Sequence, residues 1–387
     1  MKIALFIDDI TKDGGTERCT VELANQLAER GINTTIITVN ASNREAKYSI
    51  LPAIKIVKFN DNKLEHSLKR RIKTINCLRR EINTNDYDVF VVVDTLKTLL
   101  FIPLVFSLRR KHTKLISWEH FNYCSDAKYT SRWFARKISA IISDVVVVLS
   151  EQDCQNWKNA RCSEKKLKTI YNYSCFDSNP PQFNRNKKKI LAIGRLEDQK
   201  GFDFLLQIWR KIEEDQELND WTLQIVGGGS KEVALHKQAE ELEIERVEWY
   251  PFTKKIDRFY KDSSIYVMTS RMEGFGLVLL EAQAYGLPIV SFNIKCGPSE
   301  IVEQDINGYL IEPFDIDDFA AKLSKLMKTP SLLEKFTNNS QNNMEKFDKK
   351  TIIDQWVDMF NDLCNPKSNL SKPFGKGLMS SGARKFK

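Results

Sequence analysis

The alternation of apolar and polar positions divides the chain into two successive series of strands and helices. In the first series, apolar runs rich in β-branched residues predict strands at residues 2–7, 34–39, 88–94, 114–117 and 144–149. In the second series, similar runs predict strands at residues 190–193, 222–226, 247–250, 264–269 and 308–311. Helical periodicity predicts helices near residues 16–30, 202–214, 231–242 and 352–363. Strands that alternate with helices in this way are typical of parallel sheets.

A polar, proline-bearing stretch at residues 171–189 separates the two series and predicts a domain boundary. The sequence therefore predicts an α/β fold with two facing Rossmann-like domains and a cleft between them. We expect domains at residues 1–175 and 185–348, and a C-terminal helix at residues 349–364 that crosses back to the N-terminal domain. Residues 365–387 are basic and contain no acidic residue, which predicts a disordered tail.

The most informative stretch, residues 271–290, reads RMEGFGLVLLEAQAYGLPIV. It continues from a short apolar strand through a turn with two glycines into an almost wholly apolar helix that ends at Gly286. Such a helix is expected to be buried, and a buried carboxylate is costly unless it is bonded. Glu281 in this helix and Glu273 in the turn are therefore predicted to face a ligand. The start of the helix offers N–H groups and a positive dipole end, which suit a phosphate.

Composition narrows the functional classes. The 387 residues include 42% hydrophobic and 28% charged residues, as in soluble globular proteins. The eight cysteines and four histidines are dispersed, which argues against a disulfide framework or a metal cage and favours a reducing cytosol. The start has no signal-peptide pattern, and the longest apolar run, residues 98–108, is too short to span a bilayer. The net charge of +8 favours an anionic partner without distinguishing a nucleotide, a membrane surface and a nucleic acid.

Residues 64–82 have the pattern of a basic amphipathic helix. Lysines and arginines fill one face, and apolar side chains at helical spacing form the other: Leu64, Leu68, Ile72, Ile75, Leu78 and Ile82. This pattern is typical of a helix that docks on an anionic membrane surface. It is equally typical of a helix that packs on a sheet with a solvated basic face, so both interpretations stay open.

Two cations stand near the start of the second series. Gly194 and Arg195 follow a predicted strand, and Lys200 and Gly201 open the next helix. A pair of cations near a helix start suits a diphosphate better than it suits a single carboxylate. The glycine triplet at residues 227–229 and the segment GPSEIVEQDINGYLI at residues 297–311 complete the pattern.

Together these segments resemble the retaining glycosyltransferases of family 4, which have the GT-B fold. The resemblance is strongest over residues 189–326 and weaker over residues 2–150. The segments GGTER near the start and SWEHFNY at residues 117–123 make the chain most similar to the bacterial enzymes that build surface polysaccharides.

The resemblance implies a role for each motif residue. Glu281 would bind the ribose of the nucleotide, and Glu273 would contact hydroxyls of the donor sugar. Arg195 and Lys200 would bind the donor diphosphate, and His120 would lie beside the transferred sugar. Backbone N–H groups of Phe275, Gly276 and Leu277 would contact the donor, and Gly14 and Gly15 would lie in a loop that closes near the diphosphate and acceptor. Phe252 would lie near the base, and Gly227 would lie in the donor site. The predicted catalytic residues are Glu273, His120, Arg195 and Lys200.

The implied reaction is the transfer of a hexose or N-acetylhexosamine from a nucleotide sugar, with UDP as first choice, to a saccharide acceptor with retention. The implied acceptor is a lipid-linked oligosaccharide at the cytoplasmic face of the plasma membrane. An anionic membrane surface is a candidate partner, and no nucleic acid is implied. No metal or other cofactor is implied, and the D-x-D at residues 315–317 is interpreted as a helix cap. Two alternatives remain: a GT-B sugar-nucleotide epimerase, and a catalytically silent subunit that binds a sugar nucleotide.

Overall fold

Two parallel sheets, one in each half of the chain, organise the fold. The computed structural model describes residues 1–39, 45–59, 67–124, 128–174, 176, 184, 186–342 and 344–365. The strands of the N-terminal sheet are β1 (Lys2–Ile7), β2 (Asn33–Thr38), β3 (Lys55–Lys58), β4 (Val89–Val93), β5 (Lys114–Trp118), β6 (Val145–Val148) and β7 (Leu167–Thr169). Within the described residues their order is β3-β2-β1-β4-β5-β6-β7, and all pairs are parallel.

Helices cover this sheet because its strands are apolar on both faces. They are α1 (Gly15–Glu29), α2 (Ser67–Thr84), α3 (Val105–Arg110), α4 (Ser131–Ile142) and α5 (Glu151–Asn159), together with 3₁₀ segments at Thr95–Leu104 and Glu164–Lys166. The central strand β4 (VFVVV) is buried along its whole length.

The C-terminal sheet repeats this plan. Its strands are β8 (Lys189–Ile193), β9 (Thr222–Val226), β10 (Val247–Tyr250), β11 (Ile265–Met268), β12 (Ile289–Phe292) and β13 (Gly308–Ile311), in the parallel order β10-β9-β8-β11-β12-β13. The helices are α6 (Phe202–Glu213), α7 (Glu232–Glu241), α8 (Asp257–Asp262), α9 (Leu277–Ala284), α10 (Pro298–Ile301), α11 (Ile316–Lys328), α12 (Pro330–Asn339) and α13 (Lys349–Cys364), with 3₁₀ turns at Asp198–Lys200, Gln216–Leu218 and Met344–Phe347.

The predicted architecture of two Rossmann-like domains is confirmed. In each sheet the order in which successive strands are added reverses at one position, between β1 and β4 in the first domain and between β8 and β11 in the second. Open α/β sheets bind ligands beside such a reversal, at the carboxyl ends of the strands. The fold therefore places the loops after β1, β8 and β11 at candidate ligand sites.

Helix α13 packs against the N-terminal domain. Trp356 lies with its ring centroid 4.9 Å from that of Trp118 on β5. Arg30, at the end of α1, pairs with Asp354 at 2.8 Å. The domain limits predicted from the sequence stay predictions, and residues 175 and 366–387, which they include, lie outside the described residues.

The basic amphipathic pattern of residues 64–82 is only partly used for packing. Leu78 and Ile82, near the end of α2, are buried in the domain. Leu68 and Ile72, near its start, are 66% and 52% exposed. Packing on the sheet therefore explains the second half of the stripe and leaves the first half facing outwards. Leu64 lies outside the described residues.

Candidate active site

Lys200 and Glu273 form an ion pair at the carboxyl ends of β8 and β11. The Lys200 ammonium donates to Glu273 Oε1 at 2.6 Å, and the Ser270 hydroxyl donates to the same oxygen at 2.7 Å. The turn that carries the lysine ends at Gly201, whose φ of 64° favours glycine. A Cβ there would lie 2.0 Å from the carbonyl oxygen of Thr269. The predicted cation and carboxylate are therefore brought into direct contact by a close approach of two loops.

Glu281 is buried in α9, with 3% of its surface exposed. The Tyr260 hydroxyl donates to its Oε2 at 2.8 Å, and Arg18 Nη1 donates to its Oε1 at 2.5 Å. Burial raises the pKa of Tyr260 well above its usual range, and the charge of Glu281 raises it further, so the tyrosine remains a hydrogen-bond donor. Arg18 belongs to α1, so the carboxylate is held from both sides of the domain boundary.

The start of α9 lies close to the glycine loop of the N-terminal domain. Gly276 is the N-cap residue of α9, with φ of 91°, where glycine is favoured. A Cβ on Gly15 would lie 3.2 Å from the Leu277 side chain. Phe275 is 2% exposed, and its ring packs against Tyr171 and Phe347. The use of the backbone N–H groups of this turn by a donor stays a prediction.

Arg195 is exposed beside the domain boundary. Burial raises the pKa of the Glu17 carboxyl in α1, and Arg195 is among the charges that oppose this rise. The guanidinium therefore lies within electrostatic range of the first turn of α1. Gly14 caps this helix, and a Cβ there would lie 2.1 Å from Glu17 Oε2. Contact of Arg195, Gly14 or Gly15 with a diphosphate stays a prediction.

His120 lies directly after β5 and is 9% exposed. Its ring centroid lies 4.3 Å from that of Trp118. Within the described part of the chain, its Nε2 has no hydrogen-bond partner. Burial lowers the pKa of His120 to about 4, against the opposing charge of Asp94. The imidazole is therefore neutral at physiological pH and can donate from one nitrogen while it accepts at the other, which suits a sugar hydroxyl.

The loop that carries His120 touches the loop that carries Glu273. A Cβ on Gly274 would lie 2.1 Å from the carbonyl oxygen of His120, so only a glycine permits this approach. Asn122 Nδ2 donates to the main-chain oxygen of Glu273 at 2.8 Å. The loops that carry the predicted histidine and the predicted sugar-binding carboxylate are therefore in direct contact.

Gly227 and Phe252 occupy different surroundings. A Cβ on Gly227 would lie 1.9 Å from the carbonyl oxygen of Gly194, so this glycine allows the loops after β8 and β9 to pack together. Phe252 follows the end of β10 by two residues and is 54% exposed. Contact of either residue with a donor stays a prediction.

Within the described ranges, no three His, Cys, Asp or Glu side chains group as a metal site requires. Asp315 accepts from the N–H of Asp318 at 2.9 Å and caps α11, which confirms the interpretation of the D-x-D. Independence from metals stays a prediction. Nor does any helix of the described chain combine the length and apolar character needed to cross a bilayer.

Comparison with known proteins decides the family. The family model for glycosyltransferase family 4 matches residues 13–173, and the model for glycosyl transferases group 1 matches residues 176–343. An uncharacterized glycosyltransferase of Haemophilus influenzae is 31% identical over 357 residues, which cover 92% of this chain and 98% of that protein. The chain belongs to glycosyltransferase family 4. The amylovoran biosynthesis glycosyltransferase AmsD of Erwinia amylovora is 28% identical over 374 residues, covering 93% of this chain and 99% of that protein.

A solved structure confirms the GT-B fold of this family 4 glycosyltransferase. Staphylococcus aureus TarM superposes with a TM-score of 0.79 at 18% identity, covering 93% of this chain and 100% of that one. Identity at this level supports the fold alone. The enzyme's own geometry must therefore support any assignment of its donor and acceptor.

The sequence interpretation missed several contacts that hold the glycosyltransferase site together. They come from Arg18, Ser270, Tyr260 and Asn122. Arg18 closes the GGTER segment and Asn122 lies in SWEHFNY, so both stood in segments that the sequence had marked. Tyr260 carried no signal, because its link to Glu281 depends on how α8 packs beside α9.

Proposed function

We propose that this enzyme transfers a hexose or N-acetylhexosamine from a nucleotide sugar to a saccharide acceptor with retention, in the biosynthesis of a surface polysaccharide. The observation that carries the proposal is the contact at the domain boundary between the loop of the Lys200–Glu273 ion pair and the loop of His120. UDP is the first choice of nucleotide. The TarM structure contains UDP and α-GlcNAc-glycerol, and the Erwinia relative acts in amylovoran biosynthesis; both support the proposal.

The chemistry of the leaving group fits the charges of the C-terminal domain. Cleavage of the sugar–phosphate bond places extra negative charge on the diphosphate, and preorganised cations bind this charge as it develops. Arg195 and Lys200 supply the cations, and the first turn of α9 supplies N–H groups and a positive dipole end. Each charge-assisted bond contributes about 1.5–3 kcal/mol.

Retention follows in this proposal from attack by the acceptor on the face that the diphosphate leaves. A double displacement needs a carboxylate that is available as a nucleophile beneath the anomeric carbon. Glu273 Oε1 already accepts from Lys200 and Ser270, so we assign this residue to the binding of sugar hydroxyls. The neutral His120 contributes a hydrogen bond to the transferred sugar and no charge.

A transfer assay with the purified enzyme tests this function. A panel of sugar nucleotides is first screened for thermal stabilisation, because a ligand of the folded state raises the melting temperature. The stabilising nucleotide sugar is then incubated with and without a saccharide acceptor. We expect release of the nucleoside diphosphate to depend on the acceptor, and NMR of the product to show the donor's anomeric configuration.

Two outcomes of this assay contradict the proposal. Conversion of the sugar nucleotide alone, without an acceptor, would identify an epimerase. Tight binding of a sugar nucleotide without conversion under any acceptor would identify a silent binding subunit.

We further propose that the acceptor is lipid-linked and that the enzyme works at the cytoplasmic face of an anionic membrane. The support is an apolar and basic surface of the N-terminal domain, which we call the α2–α3 face. Its exposed apolar residues are Leu68, Ile72, Ile102 and Phe106, which are 66%, 52%, 47% and 79% exposed. Exposed cations lie among them, namely Lys69, Arg71, Lys73, Arg109 and Arg110. Apolar side chains between cations are typical of a surface that inserts between anionic headgroups.

The α2–α3 face also contains a depression and borders the active site. A cavity of about 340 Å³ is lined by Ile72, Asn76, Cys77, Lys69, Lys73 and Arg80. Asp8 directly follows β1. Burial opposes ionisation of its carboxyl, but nearby cations, chiefly Lys97 and also Arg70, lower its pKa. Arg70 of α2 therefore lies within electrostatic range of the carboxyl end of β1, and in this proposal a lipid-linked saccharide arrives from the membrane on that side.

Vesicle sedimentation tests the α2–α3 face. We expect the wild-type enzyme to pellet with phosphatidylglycerol vesicles at low salt and to remain in the supernatant with phosphatidylcholine vesicles. The double substitution Ile72→Ser and Phe106→Ser should lower binding at least fivefold. The control Val233→Ser, which changes an 83% exposed residue on α7, should bind as the wild type does. Failure of the wild type to pellet with anionic vesicles would contradict the membrane proposal and leave the transfer reaction standing.

A further inference from the structure

We propose that Asn122 positions the transferred sugar. Its amide nitrogen holds the Glu273 loop across the domain boundary, and its amide oxygen accepts a hydrogen bond from a hydroxyl of that sugar. The inference rests on the proposed transfer function and adds a residue for which the motifs of the sequence predicted no role. It is carried by the contacts of Asn122 and of the loop around it.

The loop on both sides of Asn122 is fixed by buried carboxylates. The N–H of Phe121 donates to Glu119 Oε1 at 3.0 Å, and the N–H of Tyr123 donates to Asp153 Oδ1 at 2.6 Å. Glu119 is itself held by Arg136 Nε at 2.8 Å, in an ion pair that is almost wholly buried. Asn122 therefore stands between two anchored amides, and its backbone is preorganised before any ligand arrives.

The amide nitrogen of Asn122 links the two domains. It donates to the main-chain oxygen of Glu273 at 2.8 Å, and Asn122 is 3% exposed. Beside this bond, Gly274 packs on the carbonyl oxygen of His120 so closely that a Cβ would lie 2.1 Å away. The bond therefore joins the two domains directly, and it fixes the backbone of Glu273, whose side chain is predicted to bind the sugar.

The amide oxygen of Asn122 is a buried hydrogen-bond acceptor without a partner among the described residues. Since Nδ2 is the donor to Glu273, Oδ1 can only accept, and it has no partner among the described residues although it is buried. His120 Nε2, two residues away in the chain, is also buried without a partner there. Buried polar atoms are normally paired with a protein group, a water or a ligand, so an unpaired one is a candidate position for such a partner. A sugar presents several hydroxyls that both donate and accept, so it can satisfy the oxygen and the imidazole together.

The two alternatives for Asn122 differ in what they predict. If Asn122 only braces the domains, its loss weakens catalysis equally for every donor. If its oxygen receives a sugar hydroxyl, removal of the side chain and removal of that hydroxyl from the donor affect the same interaction. The two losses are then not additive.

The experiment compares the wild type, Asn122→Ala and Asn122→Asp with the donor identified in the screen and with its monodeoxy analogues. Each analogue lacks one hydroxyl of the sugar. We expect one analogue to react at least tenfold more slowly than the full donor with the wild type, and at nearly the same relative rate with Asn122→Ala. Asn122→Asp brings a carboxylate against the Glu273 carbonyl oxygen, so we expect its kcat to fall tenfold or more. Affinity for UDP should stay within about twofold of wild type in both variants, because the nucleotide is assigned to the other domain.

The control is Asn219→Asp, the same substitution at an exposed position before β9, which should leave kcat unchanged. Melting temperatures identify a variant that fails to fold, and Asn122→Ser then replaces it. If Asn122→Ala discriminates against every deoxy analogue as strongly as the wild type does, the role of the amide oxygen is wrong while the transfer function stands. If the wild type binds no sugar nucleotide, the proposed function and this assignment fall together.

Discussion

The predicted site residues on the two sides of the domain boundary differ in their hydrogen bonding. On the C-terminal side, the carboxylates are already paired: Glu273 with Lys200, and Glu281 with Tyr260 and Arg18. On the N-terminal side, His120 Nε2 and Asn122 Oδ1 are buried without partners among the described residues. One side thus offers charges in a prepared arrangement, and the other offers neutral groups with unused hydrogen-bonding capacity.

This difference matches the two parts of a nucleotide sugar. A diphosphate is recognised by cations and helix N-termini, and its interaction with them grows as the leaving group gains charge. A sugar is neutral, and its hydroxyls are recognised by groups that donate and accept without carrying charge. In the proposed function, the C-terminal side is the surface for the leaving group and the N-terminal side is the surface for the transferred sugar.

The largest expected effect is the loss of a cation from the C-terminal side. We expect Lys200→Met to lower kcat/KM about tenfold to a hundredfold or more, because a charge-assisted bond of about 1.5–3 kcal/mol is lost. Arg195→Met should fall in the same range. Steady-state transfer assays measure the effect. Lys211→Met is the matched control, because that lysine pairs with Asp317, away from the predicted site, and it should react as the wild type does. Equal activities in Lys200→Met and the control would remove the lysine from the site.

A smaller effect, and of a different kind, is expected on the N-terminal side. His120→Gln keeps a neutral side chain that donates and accepts but changes its position. We expect kcat to fall about tenfold, corresponding to one hydrogen bond of about 1–1.5 kcal/mol. Affinity for UDP, measured by calorimetry, should not change. A loss of UDP affinity with unchanged kcat would place the histidine beside the nucleotide and contradict the division between the two sides.

The buried neutral histidine also predicts how stability depends on pH. The pKa of His120 is lowered from 6.5 to about 4 in the folded protein, so between these values the unfolded chain binds a proton that the folded chain does not. Stability linked to His120 is therefore present above pH 6.5 and is lost as the pH falls towards 4, by up to about 1.4 kcal/mol per pH unit. Urea unfolding from pH 7 to pH 5 should show a shallower loss for His120→Gln than for the wild type. An identical loss would show that the imidazole is not buried as a neutral group.

Asp153, which accepts from the N–H of Tyr123 in the same loop, is expected to change stability with pH in the opposite direction to His120. Burial, with the charge of Glu119, raises the pKa of Asp153 from 3.8 to about 7. The folded protein then holds a proton that the unfolded chain has released, so the linked stability rises as the pH falls from 7 towards 4. Asp153→Asn should remove that rise, which is the opposite of the change expected for His120→Gln.

The smallest effect is expected at Phe252. If its exposed ring stacks on the nucleotide base, Phe252→Ala should weaken UDP binding about fivefold, which corresponds to about 1 kcal/mol of stacking. Calorimetry with UDP measures this loss. Phe314→Ala provides the control, because Phe314 is also about half exposed at 48% but follows β13. Unchanged affinity in Phe252→Ala would show that the base lies elsewhere.

The sequence predicted the two domains well because buried parallel strands appear as short, continuous apolar runs. It did not identify β3, β7 or β12 as strands. The four residues of β3 are mostly exposed and carry lysine at both ends, so no apolar run marks them. The three residues of β7 are too few to show periodicity. The apolar residues of β12 follow α9 so closely that they merge with its pattern.

The site was predicted on one side of the boundary better than on the other. Lys200 and Glu273 belong to short motifs. The loops that carry them follow the neighbouring strands β8 and β11, where the strand order of the sheet reverses. Arg18 and Asn122 act across the boundary, on partners 263 and 151 residues away in the chain. Such contacts depend on how two folded domains meet, and no local pattern of apolar and polar residues encodes that arrangement.

The most direct test of the central claim compares the affinities of UDP and uridine by calorimetry, for the wild type and for the double variant Arg195→Met and Lys200→Met. The two ligands differ only in the diphosphate, so the ratio of their affinities measures its recognition by the enzyme. We predict that the wild type binds UDP at least a hundredfold more tightly than uridine and that most of this preference disappears in the double variant. Equal affinities of the wild type for UDP and uridine, or a preference that survives the loss of both cations, would contradict the account.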